Sequence, residues 1–103
     1  MQTKLTEALA YLAHSDKRFT EIFTNENISV ELYKPLLADY QQPHDRDEIY
    51  IIVAGTGDFL LGEKRYGFAP GDFFFVPAGV VHRFENFTVD FSTWVIFLNN
   101  KAG

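Results

Sequence analysis

The sequence predicts an all-β domain, a small barrel or sandwich of antiparallel strands. The chain carries 11 Phe, five Tyr and one Trp in 103 residues, and large flat side chains favour strands. From residue 19 onward, eight or nine short apolar segments alternate with turn residues, a spacing typical of sandwiches and small barrels. Apolar residues make up 47% and charged residues 22%, which indicates one ordinary globular domain.

The N-terminal segment predicts a short amphipathic helix at residues 3–14, with Thr3 as its N-cap. Its apolar stripe consists of Leu5, Ala8, Leu9 and Leu12. We expect residues 1–18 to form a helical segment that packs on the outside of a β-barrel built from residues 19–103. A role of this helix in dimerisation is the alternative.

The strand segments follow one another without a linker or repeat. One hairpin is predicted around Gly62, between DFLL and RYGF. The run FFFV at residues 73–76 is apolar throughout. It therefore predicts a strand covered on both faces, its outer face lying against the N-terminal helix or a partner subunit. The other segments are RFTEIF, ISVELYKPL, IYIIVAG, HRFENF and STWVIFL.

Charge and composition exclude several classes of function. The net charge is −5 and no Lys/Arg cluster occurs, so nucleic acid and anionic membranes are poor partners. The N-terminus carries charges throughout and has no secretory pattern, so we expect a cytoplasmic protein. Because Cys is absent, a metal would have to bind to imidazole, carboxylate, amide or water.

The stretch QPHDRDE at residues 42–48 carries three polar side chains of one parity, Gln42, His44 and Glu48. On an extended chain such positions share a side. If that side and the face that carries His82 look into one interior, two imidazoles, a carboxylate and an amide converge there. Unpaired polar groups would each cost about 1–3 kcal/mol in an apolar cavity, and a divalent cation would satisfy them together.

The spacing of these residues forms two motifs, H-x3-E-x6-G and G-x5-P-x-G-x2-H-x3-N. Their fixed positions are His44, Glu48 and Gly55 in the first, and Gly71, Pro77, Gly79, His82 and Asn86 in the second. Together they resemble the two motifs of the cupin superfamily, over about residues 36–98. The second motif matches at every fixed position. The first lacks its leading Gly, and Gln42 stands where the motif has its first His.

The resemblance implies a jelly-roll β-barrel of two antiparallel sheets. It also implies a divalent metal held by His44, Glu48 and His82, with Gln42 as a neutral oxygen ligand. Fe, Mn, Ni, Zn and Cu are all compatible with such donors. Many small cupins are homodimers, and we expect the same here, with a small-molecule ligand or substrate.

Three functions remain open from the sequence. Two His and one carboxylate are typical of metal-dependent dioxygenases, and the resemblance makes Glu48 a candidate catalytic base. The start Gln-x-His is similar to the zinc site of some phosphosugar isomerases of cupin fold, although only Arg46 and Arg83 are obvious phosphate ligands. The third function is ligand binding without turnover.

Four further residues are candidates for a substrate pocket. Tyr50, Phe84 and Trp94 could line an apolar pocket, with core packing as the alternative, above all for Trp94. Arg46 could reach a substrate carboxylate at the barrel mouth. Its alternative is a solvated loop charge between Asp45 and Asp47.

Overall fold

The computed structural model describes residues 1–39 and 41–99. The end of the predicted barrel, at residue 103, lies outside these residues. The elements are α1 (Leu5–Ala13), β1 (Phe19–Thr24), β2 (Ile28–Tyr33), β3 (Asp47–Ala54), β4 (Gly57–Leu61), β5 (Lys64–Phe68), β6 (Phe73–Val76), β7 (His82–Glu85) and β8 (Ser92–Leu98). Within the described ranges, no helix has the length and apolar character that a membrane span requires.

The strands form two antiparallel sheets, which confirms the predicted all-β class. The larger sheet has the order β1-β2-β8-β3-β6, and the smaller has the order β5-β4-β7. The predicted hairpin is present, since β4 pairs with β5 in antiparallel register. Every pairing is antiparallel, and the non-consecutive neighbours fit a jelly roll.

The core lies between the two sheets and is rich in aromatic rings. In β3 the alternation of side chains buries Glu48, Tyr50 and Ile52 on the inner face. Phe59 of β4 packs on Phe84 of β7 with 4.5 Å between ring centroids. The remaining buried members of this core are Phe68, Val76, Phe91, Val95 and Phe97. The polar Glu48 therefore sits in an apolar interior.

Helix α1 packs on the outer face of the larger sheet, where Ala8 and Leu12 bury Leu32. Its N-cap is Lys4 and no side chain caps it, so the prediction of Thr3 as N-cap was wrong. A side-chain cap contributes about 1 kcal/mol, whereas burial of a leucine side chain contributes about 1.5–3 kcal/mol. Packing therefore outweighs the cap in setting where this helix begins.

Strand β6 is covered on one face only. Phe74 and Val76 face the core, whereas Phe73 and Phe75 are 59% and 44% exposed. The predicted cover by the N-terminal helix was therefore wrong, and cover by a partner subunit stays a prediction. The helix contacts β1 and β2, and β6 is at the opposite edge of the sheet. We call the outward-facing residues Ile49, Ile51, Phe73 and Phe75 the open apolar face; Ile49 is half-buried, and the four are cross-strand neighbours in the β3–β6 ladder.

Candidate metal centre

Three side chains from three parts of the chain meet between the sheets. His44 comes from the loop before β3, Glu48 from β3 itself, and His82 from the start of β7 in the other sheet. Each offers one ligand atom, and these atoms lie within 4.8 Å of one another. Nε2 of His82 is 3.2 Å from Oε2 of Glu48, and Nε2 of His44 is 3.8 Å from Oε1.

The cluster is closed to solvent on all but one side. The side chains of His82 and Glu48 are 0% and 1% exposed, while that of His44 is 31% exposed. The ring of His44 also packs edge-on against Phe97, with 5.2 Å between centroids. A ligand from solvent would therefore meet His44 first.

Two buried atoms of the cluster lack hydrogen-bond partners. Although Glu48 Oε2 and His82 Nε2 are neighbours, neither makes a hydrogen bond within the described residues. Leaving a buried polar group unsatisfied costs about 1–3 kcal/mol. Two ligands that each lie about 2.1 Å from one ion are about 3.0–3.4 Å apart at octahedral or tetrahedral angles. The residues present therefore fit a divalent cation.

Neighbouring oxygens fix the orientation of the His82 ring and raise its pKa. Its Nδ1 donates to the carbonyl of Val80 at 2.9 Å, which turns Nε2 toward Glu48. Burial alone would lower the pKa of His82, but the Glu48 carboxylate and the Val80 carbonyl outweigh it and raise the pKa. Such an outer hydrogen bond is typical of histidines that ligate metals.

The turn after β6 holds the loop that carries His44. The amide of Gly79 donates to the carbonyl of His44 at 2.7 Å, and the amide of Ala78 donates to Asp47 Oδ1 at 2.8 Å. Gly79 has a φ of +80°, a conformation that glycine adopts without strain. The second motif thus positions a residue of the first. Asp47 takes part in this contact through its side chain.

Tyr50 and Phe84 lie in the interior beside the cluster. The Tyr50 hydroxyl is 3.1 Å from Oε1 of both Glu48 and Gln41, and its ring packs on Phe84 with 5.0 Å between centroids. Burial and the charge of Glu48 hold the pKa of Tyr50 well above its usual value. Tyr50 is therefore a neutral phenol, whose one proton is shared between the Glu48 carboxylate and Gln41 Oε1.

The structure does not bring Gln42 to the cluster. Gln42 is exposed and makes no hydrogen bond within the described part of the chain. Strand β3 begins only at Asp47, so no strand geometry fixes the side that Gln42 faces. Gln41 lies there instead, with Oε1 3.3 Å from His44 Nε2.

Trp94 and Arg46 lie away from the interior, and Trp94 packs in a hydrophobic cluster, which was the alternative given for it. Trp94 lies on the outer face of the larger sheet, against the residues that pack on α1, so it does not line the interior. The guanidinium of Arg46 lies 4.3 Å from the ring centroid of Phe97 and donates to Asn99 Oδ1 at 2.8 Å. Arg46 is thus engaged with the protein beside His44, and it is not a freely solvated charge.

Sequence reasoning missed Asp39, a carboxylate that is 3% exposed. It accepts hydrogen bonds from Tyr33, the backbone and side chain of Gln41, and the backbone of Phe84. No motif marks this position. The only sequence signal is one acid that follows the apolar run PLLA.

Comparisons with known proteins agree with this architecture. The family model described as a cupin domain matches residues 33–95, a range that contains the whole cluster. An uncharacterized protein of Streptomyces coelicolor is 33% identical over 96 residues, which cover 91% of each chain.

Two solved structures share the fold. One is a protein from Neisseria meningitidis, with a TM-score of 0.74, 24% identity, and coverage of 95% of this chain and 99% of that one. The other is a cupin superfamily protein from Desulfitobacterium hafniense, with a TM-score of 0.72, 16% identity, and coverage of 97% and 94%.

Proposed function

The chain belongs to the cupin family, and from this premise we propose that it is a metal-dependent dioxygenase-type enzyme for a small organic substrate. Its divalent metal is held by His44, Glu48 and His82. The observation that carries the proposal is the pair of buried, unpartnered atoms, Glu48 Oε2 and His82 Nε2. Both are natural metal ligands, and their separation of 3.2 Å suits one ion.

When bound, the metal would supply a Lewis acid with open positions for a substrate oxygen and O₂, as two-His-one-carboxylate centres do. Iron is our first choice of metal. Manganese, nickel and zinc are compatible with the same donors.

The residues around the cluster have defined tasks in this proposal. Glu48 is the candidate base that takes a proton from a substrate hydroxyl, while the neutral Tyr50 hydroxyl holds its Oε1 at 3.1 Å. Phe84 and Phe97 line the apolar interior, which keeps water from the reacting groups. The partly exposed His44 marks the side from which the substrate enters.

The positions of the two candidate phosphate ligands, Arg46 and Arg83, argue against a phosphosugar isomerase. Arg83 follows His82 on a strand and therefore points to the opposite face, where it is exposed and pairs with Glu85 at 3.3 Å. Arg46 is engaged by Asn99 and Phe97. Neither guanidinium is placed to receive a phosphate inside the barrel.

The enzyme proposal is tested by O₂ consumption. Protein loaded anaerobically with Fe(II) is offered a panel of enediol and phenol substrates, beside the variants Glu48→Gln and His82→Ala. We expect O₂ uptake with a matching product in the wild type and its loss in both variants. His14→Ala serves as the control, because His14 is an exposed C-cap of α1.

Two results would contradict the dioxygenase proposal. Stoichiometric capture of a ligand without any product would favour a binding protein. Conversion of a sugar phosphate with a metal that has no redox chemistry would favour the isomerase.

We also propose that two copies form a homodimer through the open apolar face. Phe73 is 59% and Phe75 is 44% exposed in the single chain, and contiguous apolar patches of this kind mark interaction sites.

A further inference from the structure

We propose that Gln41 supplies the fourth protein donor of the metal centre through its side-chain oxygen, and that Asp39 positions it. The inference rests on the proposed metal site and deepens it. Gln41 lies one residue before the position that the family pattern assigns to a ligand, and its Oε1 is 3.3 Å from His44 Nε2. Gln42, which occupies the family position, is exposed.

Asp39 fixes the orientation of the Gln41 amide. Its Nε2 donates to Asp39 Oδ2 at 2.9 Å, and a carboxylate can only accept. The oxygen of the same amide must therefore face the other way, toward His44 and the Tyr50 hydroxyl, which is 3.1 Å away. The nitrogen and oxygen of the Gln41 amide are therefore assigned by the hydrogen bond to Asp39.

Asp39 is held in place by residues other than Gln41, so it can act as a support for Gln41. It is 3% exposed, and its two oxygens accept from the Tyr33 hydroxyl at 2.6 Å and from the Phe84 amide at 2.9 Å. These donors come from β2 of one sheet and β7 of the other. A carboxylate held from two sheets makes a rigid support, and Gln41 Oε1 is therefore preorganised.

The separation of Gln41 Oε1 from His44 suits two ligands of one ion. Neighbouring ligands about 2.1 Å from a metal are about 3.0–3.4 Å apart, and the distance here is 3.3 Å. The centre would then present two imidazoles, a carboxylate and a neutral amide oxygen. An amide oxygen in place of an imidazole favours oxygen-preferring ions such as Mn(II) over Cu(II) and Zn(II).

The test compares adjacent glutamines. Mn(II) affinity is measured by chelator competition for the wild type, Gln41→Ala, Gln42→Ala and Gln41→His, and the Co(II)-loaded proteins are compared by visible absorption. We expect Gln41→Ala to weaken Mn(II) binding by at least about 10-fold, since loss of an outer partner of a metal ligand already costs about 10- to 100-fold. Its Co(II) spectrum should also change. Gln42→Ala should match the wild type, and Gln41→His should shift preference toward Zn(II) and Cu(II).

Thermal unfolding of the metal-free variants checks that each one folds. Asp39→Asn should reproduce part of the affinity loss, because it releases the Gln41 amide to rotate. Wild-type Mn(II) affinity and an unchanged Co(II) spectrum in Gln41→Ala would overturn this inference and leave the three-ligand site intact. A larger loss of Mn(II) affinity in Gln42→Ala than in Gln41→Ala would overturn the inference as well. A wild type that binds no metal would overturn both proposals.

Discussion

His82 Nε2 and Glu48 Oε2 lie 3.2 Å apart inside the protein, and neither atom makes a hydrogen bond within the described residues. They belong to strands of different sheets, β7 and β3, so this contact is held by the fold and not by local sequence. A proton on His82 Nε2 would join the two groups as an ion pair, and with a neutral imidazole a divalent cation can take the place of that proton between the two ligand atoms.

Tyr33 should contribute to stability through its hydroxyl. It donates to the buried Asp39 at 2.6 Å, and hydrogen bonds to charged groups contribute about 1.5–3 kcal/mol. We therefore expect Tyr33→Phe to lower the free energy of unfolding by that amount in urea titrations. Tyr11→Phe is the matched control, because Tyr11 is 63% exposed on α1. Equal losses in both variants would argue against a special role of the Asp39 network.

Glu31 should make stability depend on pH. Burial raises the pKa of Glu31 above its usual value of 4.5, the charge of Glu21 adds to this, Arg46 opposes it, and Glu48 reinforces it. Glu21 is its direct partner across the β1–β2 ladder.

A carboxyl group with a raised folded pKa contributes stability below its unfolded pKa, and that stability is lost as pH rises through the folded pKa. We therefore expect Glu31→Gln to be more stable than the wild type at neutral pH, with the advantage vanishing below about pH 4. Urea unfolding at both pH values measures the difference. Glu26→Gln, in the exposed turn before β2, is the control. An advantage of the same size at both pH values would contradict this account.

The open apolar face should control the oligomeric state. A charge in the middle of an apolar contact is costly to bury, so we expect Phe73→Lys and Phe75→Lys to convert a dimer into a monomer. Light scattering at micromolar concentration measures the mass. Val89→Lys is the control, because Val89 is 85% exposed and lies outside the face. A wild type that is monomeric, or a dimer that survives both Phe substitutions, would refute the proposed interface.

The strands and the inner face of β3 were predictable because side-chain alternation has a fixed period in extended chain. Glu48 and Tyr50 obey it. Of the residues before Asp47, which lie outside any strand, His44 reaches the cluster as its parity predicted. Gln42 does not, and Gln41 lies beside His44 instead.

Trp94 shows a second limit of predicting buried faces from the alternation of side chains. In β8 the buried Val95 and Phe97 face the core while Trp94 faces outward. Apolar residues occupy both faces of this strand, so the sequence does not mark which face is interior. Asp39 was unpredictable for a different reason, since its partners come from β2, β7 and its own loop.

Metal content measured after removal of free metal tests the central claim most directly. Wild-type protein and the variants His82→Ala and His14→Ala are incubated with Fe(II), Mn(II), Ni(II) or Zn(II), desalted, and assayed by elemental analysis. We expect one metal per chain in the wild type and in His14→Ala, and none in His82→Ala. Stoichiometric metal in His82→Ala, or no bound metal in the wild type with any of the four ions, would contradict a centre formed by His44, Glu48 and His82.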